Sequence, residues 1–227
     1  MCGRFIQKAK PEQIQSEFNV EISPDQSFEP RYNITPSQMI GAVRETEGAR
    51  QYARLKWGLI PHWSKDDSFA SKLVNARAET LAEKPSFREA YRKRRCLIPA
   101  DGYYEWKATD HGKQPFYFHL KDRDLFGFAG LWEEWLDRDS GEVVETCAII
   151  TTEANRLVRP VHARMPVIIG PGDYEKWLDA GGKTDPAELD RMLSSEINEE
   201  LESYAVSPSV NNPANDGPEL IEKWKTV

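Results

Sequence analysis

Residues 103–151 read YYEWKATDHGKQPFYFHLKDRDLFGFAGLWEEWLDRDSGEVVETCAIIT. Four runs in this stretch, Tyr103–Trp106, Phe116–Leu120, Leu125–Trp135 and Val143–Thr151, are dense in aromatic and β-branched residues. Turn signals separate them, among them Asp110-His111-Gly112-Lys113 and Asp137-Arg138-Asp139-Ser140-Gly141. Short runs cut by such turns predict successive antiparallel strands. Upstream, Cys96–Pro99 reads as a buried strand fed by an amphipathic helix over Ser86–Arg94. Met39–Val43 and Gln51–Trp57 read as strands joined through the charged stretch Arg44–Arg50. Pro11–Phe18 reads as a first helix, with proline where a missing N–H costs nothing. Arg31–Pro36 is extended, ending before a proline. Downstream, helices are expected at Glu153–Val158, Asp173–Leu178 and Pro186–Ser194, and a strand at Val167–Ile169. Ser207–Pro218 is a Pro/Asn/Gly-rich loop, and Glu219–Lys225 is a short helix or docked tail. No linker divides the chain. The expectation is one α+β domain over residues 1–227, with a mostly antiparallel, barrel-like β core and flanking helices.

The 227 residues are 39% hydrophobic and 30% charged, with a net charge of −7. No apolar run approaches the ~20 residues of a membrane-spanning helix. The first residues, MCGRFIQKAKPEQ, lack a secretory stretch, so a cytoplasmic location is expected. Three widely spaced cysteines, Cys2, Cys96 and Cys147, argue against a disulfide framework. Without a CxxC pair or an HExxH helix, neither a metal nor a cofactor is called for. The acidic balance argues against duplex binding driven by the whole surface, while a local basic groove stays open.

Cys2 carries the most specific chemistry. Loss of Met1, favoured before a small residue, would leave an α-amine and a thiol on adjacent carbons. An α-amine with a pKa of about 8 is partly neutral at pH 7 and condenses with aldehydes to a Schiff base. The thiol can then close on the same carbon to give a five-membered thiazolidine. Cys2 also fits an incidental small buried residue. Gly3 and Arg4 favour the reactive reading, because glycine permits close backbone approach and arginine supplies a phosphate-binding fork.

Four other segments hold candidates. Asn75 in Asn75-Ala76-Arg77-Ala78-Glu79 can hold a sugar hydroxyl or cap a helix. Arg77 can bind phosphate or pair with a carboxylate. Glu105, between Tyr104 and Trp106, is either a general acid/base with a raised pKa or an outward-facing strand residue. His162, fixed between Pro160 and Pro166, suits a proton carrier as well as a structural role, and Arg159 and Arg164 flank it. Trp57-Gly58-Leu59-Ile60-Pro61-His62-Trp63 can stack on unpaired bases or pack the core, where Trp132 and Trp135 are expected. The basic run Arg92–Arg95 reads as a solvated helix face, with an edge of a DNA track as the alternative.

Taken in order, these segments resemble the SOS response-associated peptidase (SRAP) family of abasic-site processing proteins. The matching features are MCGRF (1–5), RYNITP (31–36), WGLIPHW (57–63), NARAE (75–79), RCLIPA (95–100), GYYEW (102–106), FAGLW (128–132), VHARMP (161–166) and the loop over 211–220. The resemblance implies a β-barrel-like core and a thiazolidine crosslink from Cys2 to an abasic site in single-stranded DNA. It implies that Asn75 orients the opened sugar, Glu105 shuttles protons, and His162 assists Schiff-base chemistry and reversal. By similarity, Arg4, Trp63, Arg77 and Arg164 contact DNA. The short chain resembles the bacterial form, expected as a monomer, without an added tail and with no replication-fork partner specified. The family's name keeps a thiol peptidase reading open, with Cys2 as nucleophile and His162 and Glu105 as base and orienter. Cleavage of its own Met1–Cys2 bond is the hydrolysis that this position suits.

Overall fold

The computed structural model describes residues 2–24, 26, 28–110, 112–179, 181–182, 184–194 and 201–224. The four runs of residues 103–151 all form strands, and each extends beyond its apolar centre. In chain order the strands are β1 (Phe5–Gln7), β2 (Arg31–Ile34), β3 (Met39–Thr46), β4 (Ala49–Trp57), β5 (Asn75–Arg77), β6 (Arg95–Ala100) and β7 (Gly102–Thr109). They continue as β8 (Gly112–Leu120), β9 (Phe126–Leu136), β10 (Val143–Glu153), β11 (Arg164–Pro166), β12 (Ile168–Ile169) and β13 (Leu201–Ala205). The helices are α1 (Pro11–Phe18), α2 (Arg88–Lys93), α3 (Tyr174–Leu178) and α4 (Pro186–Met192).

Strands β4, β3, β6, β9 and β10 pair in that order, and β10 returns to β4. The five strands therefore form a closed barrel, which leaves no open edge. All its pairings are antiparallel except the closure, a short parallel contact of Thr146 with Lys56 and Cys147 with Trp57. A second antiparallel sheet, ordered β13-β8-β7-β1-β2, packs against the barrel. Phe5 joins the layers: its ring meets Trp57 edge-on at 5.2 Å and Phe128 at 5.8 Å. Tyr103 and Phe118, neighbours across the β7–β8 pair, stack at 5.0 Å in the same buried cluster. A second cluster lies under α1 and α3, where Phe18 stacks on Tyr174 at 5.0 Å. The expected architecture is thus present: one α+β unit, barrel-cored and helix-flanked.

The loop after β4 is pinned rather than free. Gly58 has φ +134°, and a Cβ there would lie 2.5 Å from the Ala70 carbonyl oxygen, so only glycine fits. Its N–H donates to the Cys147 carbonyl at 2.9 Å, and the Ile60 N–H to Thr146 Oγ1 at 3.0 Å. The buried Glu133 carboxylate takes His62 Nδ1 at 2.8 Å and Arg94 Nε at 2.5 Å. Glu133→Ala would leave the partly buried Arg94 without its shortest partner. The expected loss is about 2 kcal/mol, below the usual cost of breaking a fully buried pair because Arg94 keeps some access to water. A shift of the urea midpoint at unchanged slope would show it.

Several boundaries differ from the sequence reading. Arg44–Arg50 is not a connector: β3 and β4 run through it to a tight turn at Glu47 and Gly48, both at positive φ (54° and 79°). Glu153–Val158 is not a helix. Asn155 Oδ1 accepts from the N–H groups of Leu157 (3.1 Å) and Val158 (3.0 Å), an Asx arrangement that replaces helical bonds. Leu201–Ala205 is an unforeseen edge strand on β8. Residues 218–221 form one 3-10 turn, and Lys225 lies outside the described residues. Trp57, Trp132 and Trp135 are buried, as expected of core tryptophans, while Trp63 is 45% exposed. Among the described residues, no helix is long and apolar enough to cross a membrane.

Candidate active site

Strand β1 places the front of the chain. Phe5 pairs with Tyr103, and the Tyr104 N–H donates to the Arg4 carbonyl at 3.0 Å. Continuing that antiparallel register lays residues 2–4 alongside 104–106. On β7 the side chains alternate, so Tyr103 and Glu105 face inward while Tyr104 and Trp106 face away. Glu105 is 3% exposed, which decides against an outward-facing strand carboxylate.

Four sequence-distant residues meet there. Cys2 is fully buried. Its carbonyl accepts a hydrogen bond from Asn75 Nδ2 at 2.8 Å. A carbonyl can only accept, so this contact sets the amide orientation and leaves Asn75 Oδ1 turned elsewhere. That oxygen is buried and has no hydrogen-bond partner among the described residues. An orphaned buried acceptor costs about 1–3 kcal/mol, and such groups concentrate at sites awaiting a ligand. Asn75 opens β5, which lies parallel to β10 at Ile149, so a barrel strand fixes its position.

Glu105 and His162 form the second pair, with Glu105 Oε1 3.8 Å from His162 Nδ1. Desolvation pushes the Glu105 carboxyl up to about 7. Burial and the nearby Glu105 charge together raise the Cys2 thiol far above its ordinary value, so it stays protonated at neutral pH. Burial lowers His162, against a contact with the Arg164 backbone that raises it. That contact has two faces: Nδ1 lies 3.0 Å from the Arg164 N–H and 2.9 Å from the Arg164 carbonyl oxygen. A deprotonated Nδ1 accepts from the first, and a protonated Nδ1 donates to the second. The ring therefore keeps its orientation in either state, which suits a proton carrier.

A cleft of about 550 Å³ opens beside this pair, lined by Arg4, Glu105, Trp106, Lys113, His162 and Asn211. The loop after β13 supplies one wall. Asn33, fully buried, donates through Nδ2 to the Val210, Asn212 and Asn215 carbonyls at 3.3, 3.1 and 2.7 Å. Asn211 Oδ1 accepts from the Trp106 indole at 2.7 Å. Arg4 donates to Asn33 Oδ1 at 2.7 Å and the Val210 carbonyl at 2.6 Å.

The four basic or aromatic residues expected on DNA differ in how free they are. Arg77 is exposed at the end of β5 and has no ion pair among the described residues. Trp63 is exposed, edge-on to Phe69 at 5.5 Å. Arg4 lines the cleft with Nη1 already used, while its buried Nε has no hydrogen-bond partner among the described residues. Arg164 binds Glu79 through both Nη atoms (2.6 and 2.9 Å) and the Thr151 carbonyl at 2.6 Å. Sequence reasoning did not single out Lys113 or Asn211, nor Trp106 as a site residue. The hairpin turn at 110–113 carried the signal for Lys113, because it sets which β8 side chains share a face with Trp106.

Comparison with known proteins shows the family. Residues 1–213 match the family model described as SOS response associated peptidase (SRAP). The chain is 43% identical over 224 residues to abasic site processing protein YoqW of Bacillus subtilis (strain 168), covering 98% of this chain and 99% of that one. It is 28% identical over 228 residues to abasic site processing protein YedK of Escherichia coli (strain K12), covering 98% and 99%. A crystal structure of a Bacteroides thetaiotaomicron protein superposes with a TM-score of 0.89 at 28% identity, over 99% of this chain and 100% of that one. With closed barrel, buried Cys2 and ordered motifs all in place, the chain belongs to the SOS response associated peptidase (SRAP) family.

Proposed function

We propose that this protein captures abasic sites in single-stranded DNA as a covalent thiazolidine on Cys2, once Met1 is gone. The observation that carries the reading is the hydrogen bond from Asn75 to the Cys2 carbonyl. It anchors the main chain of Cys2, and with it the α-nitrogen, beside Glu105; a site built around the thiol alone would not need this. Relatives over the full chain length bear the name abasic site processing protein, which fits the same substrate.

The reaction runs in three balanced steps. The sugar ring opens to the aldehyde as a proton leaves the C1′ hydroxyl and another reaches the ring oxygen. The neutral α-amine then adds to C1′, and the resulting carbinolamine loses water to give an imine. Finally the thiol S–H adds across C=N: sulfur bonds to C1′ and the proton passes to nitrogen. One water is lost overall. Glu105, titrating near 7, accepts and returns protons in the first two steps. His162 Nδ1, 3.8 Å from Glu105 Oε1, is too far for a direct hydrogen bond and would relay protons to it through one water. The orphaned Asn75 Oδ1 accepts a sugar hydroxyl. Ring closure needs the thiol to give up its proton, and the imine nitrogen beside it is the acceptor. The His162–Glu105 pair would serve a thiol peptidase equally, as base and orienter; what sets the proposed reaction apart is that it uses the α-amine as well as the thiol.

Intact-mass measurement tests the proposal. Protein lacking Met1 should gain the mass of an abasic oligonucleotide less one water. No gain from protein shown to lack Met1 overturns it.

A further inference from the structure

The cleft offers a place for one particular phosphate. Two of the arginines expected to hold DNA are already engaged, Arg4 in part, through Nη1 to Asn33 and Val210, and Arg164 through both Nη atoms to Glu79. Lys113 differs. It is exposed on the cleft wall, and its side chain makes no ion pair or hydrogen bond among the described residues. The hairpin register puts Lys113 opposite Ala108 and Trp106 opposite Pro115. Residues 106 and 108 share a strand face, so Lys113 stands diagonally beside Trp106 on the same face of the β7–β8 ribbon. The indole is itself held flat, by its N–H to Asn211 and by the Arg4 guanidinium 5.7 Å from the ring centroid. A free ammonium next to a fixed aromatic plane suits one phosphodiester and its adjoining base.

We propose that Lys113 and Trp106 form a subsite for the nucleotide next to the captured sugar, with Lys113 on its phosphate. The inference rests on the reading that single-stranded DNA is the substrate, and it adds the contact that orients the strand. The lysine acts on binding, before any covalent step.

The test uses a single strand bearing a tetrahydrofuran abasic analogue, which has no aldehyde and forms no crosslink. Binding is measured at increasing salt for the wild type, Lys113→Gln, Lys113→Arg and Lys121→Gln. Lys121 is exposed just past the far end of β8. Each neutralised phosphate contributes about 0.7 to the slope of log K against log[salt] for single strands. Lys113→Gln should flatten the slope by about that amount and weaken binding. Lys113→Arg should restore the slope, and Lys121→Gln should leave it unchanged. An unaltered slope in Lys113→Gln overturns the subsite, as does equal flattening by Lys121→Gln. A parallel crosslinking assay of the wild type on a true abasic strand separates this failure from failure of the covalent reading.

Discussion

Cys2→Ala protein, mixed with a single-stranded abasic oligonucleotide, will give no heat-stable adduct. The same protein, treated with borohydride during the incubation, will still trap the strand. The two results follow from dividing the aminothiol. The α-amine survives the substitution and still forms an imine, which hydrolyses on heating unless reduced. The sulfur that would close the ring is absent. Loss of one buried sulfur costs about 1–2 kcal/mol, which a domain of this size tolerates. Denaturing gels with and without reductant read both outcomes. A heat-stable adduct formed by Cys2→Ala at the wild-type rate would sink the thiazolidine mechanism. Absence of any borohydride-trapped species would instead remove the α-amine from it.

Glu105→Gln should slow adduct formation by about 10²-fold, at the low end for loss of a general acid–base group. The near-isosteric amide keeps the packing and removes the proton. The wild-type rate should show an inflection near pH 7, from the carboxyl that burial lifts to about 7, and the variant should lack it. Stability should move the opposite way. The carboxyl titrates higher in the fold than its ordinary value of 4.5. Its contribution is therefore fully present below about pH 4.5 and is lost as pH rises through about 7. The amide has no proton to lose. Its melting temperature should gain on the wild type across that window and stay ahead above it. A constant difference from acid to alkaline pH would show that Glu105 does not titrate there. This is the balance expected where a site keeps a costly group for chemistry.

The strands of residues 103–151 were legible because apolar runs and turn residues agree there. Arg44–Arg50 was not, because charged side chains on two exposed strand ends look like a loop when only hydrophobicity is followed. The Glu153–Val158 segment misled because its helix-like spacing cannot register that Asn155 takes the N–H groups a helix would use. Barrel closure was invisible for a different reason: the β4–β10 contact joins segments about ninety residues apart through two residue pairs. Within the candidate site, the chemistry of Cys2 and Glu105 marked them as candidates, each beside a structural alternative that the sequence left open. The hold of Asn75 on the Cys2 carbonyl was not legible, since a side chain bonded to remote backbone leaves no mark in spacing. Lys113 was hidden in what read as ordinary turn chemistry.

Cys2 lies at the start of the chain, and its setting is made of Asn75, Glu105 and His162, with Val210 tying down Arg4. During synthesis the N-terminus emerges first, and the last of these residues comes more than two hundred positions later. An unfolded chain that has shed Met1 presents a naked aminothiol to every small aldehyde in its surroundings. The fully buried Cys2 of the finished fold is therefore also a form of custody. If Cys2 is the nucleophile proposed above, speed of folding decides how many copies meet a first abasic site with the aminothiol still unreacted.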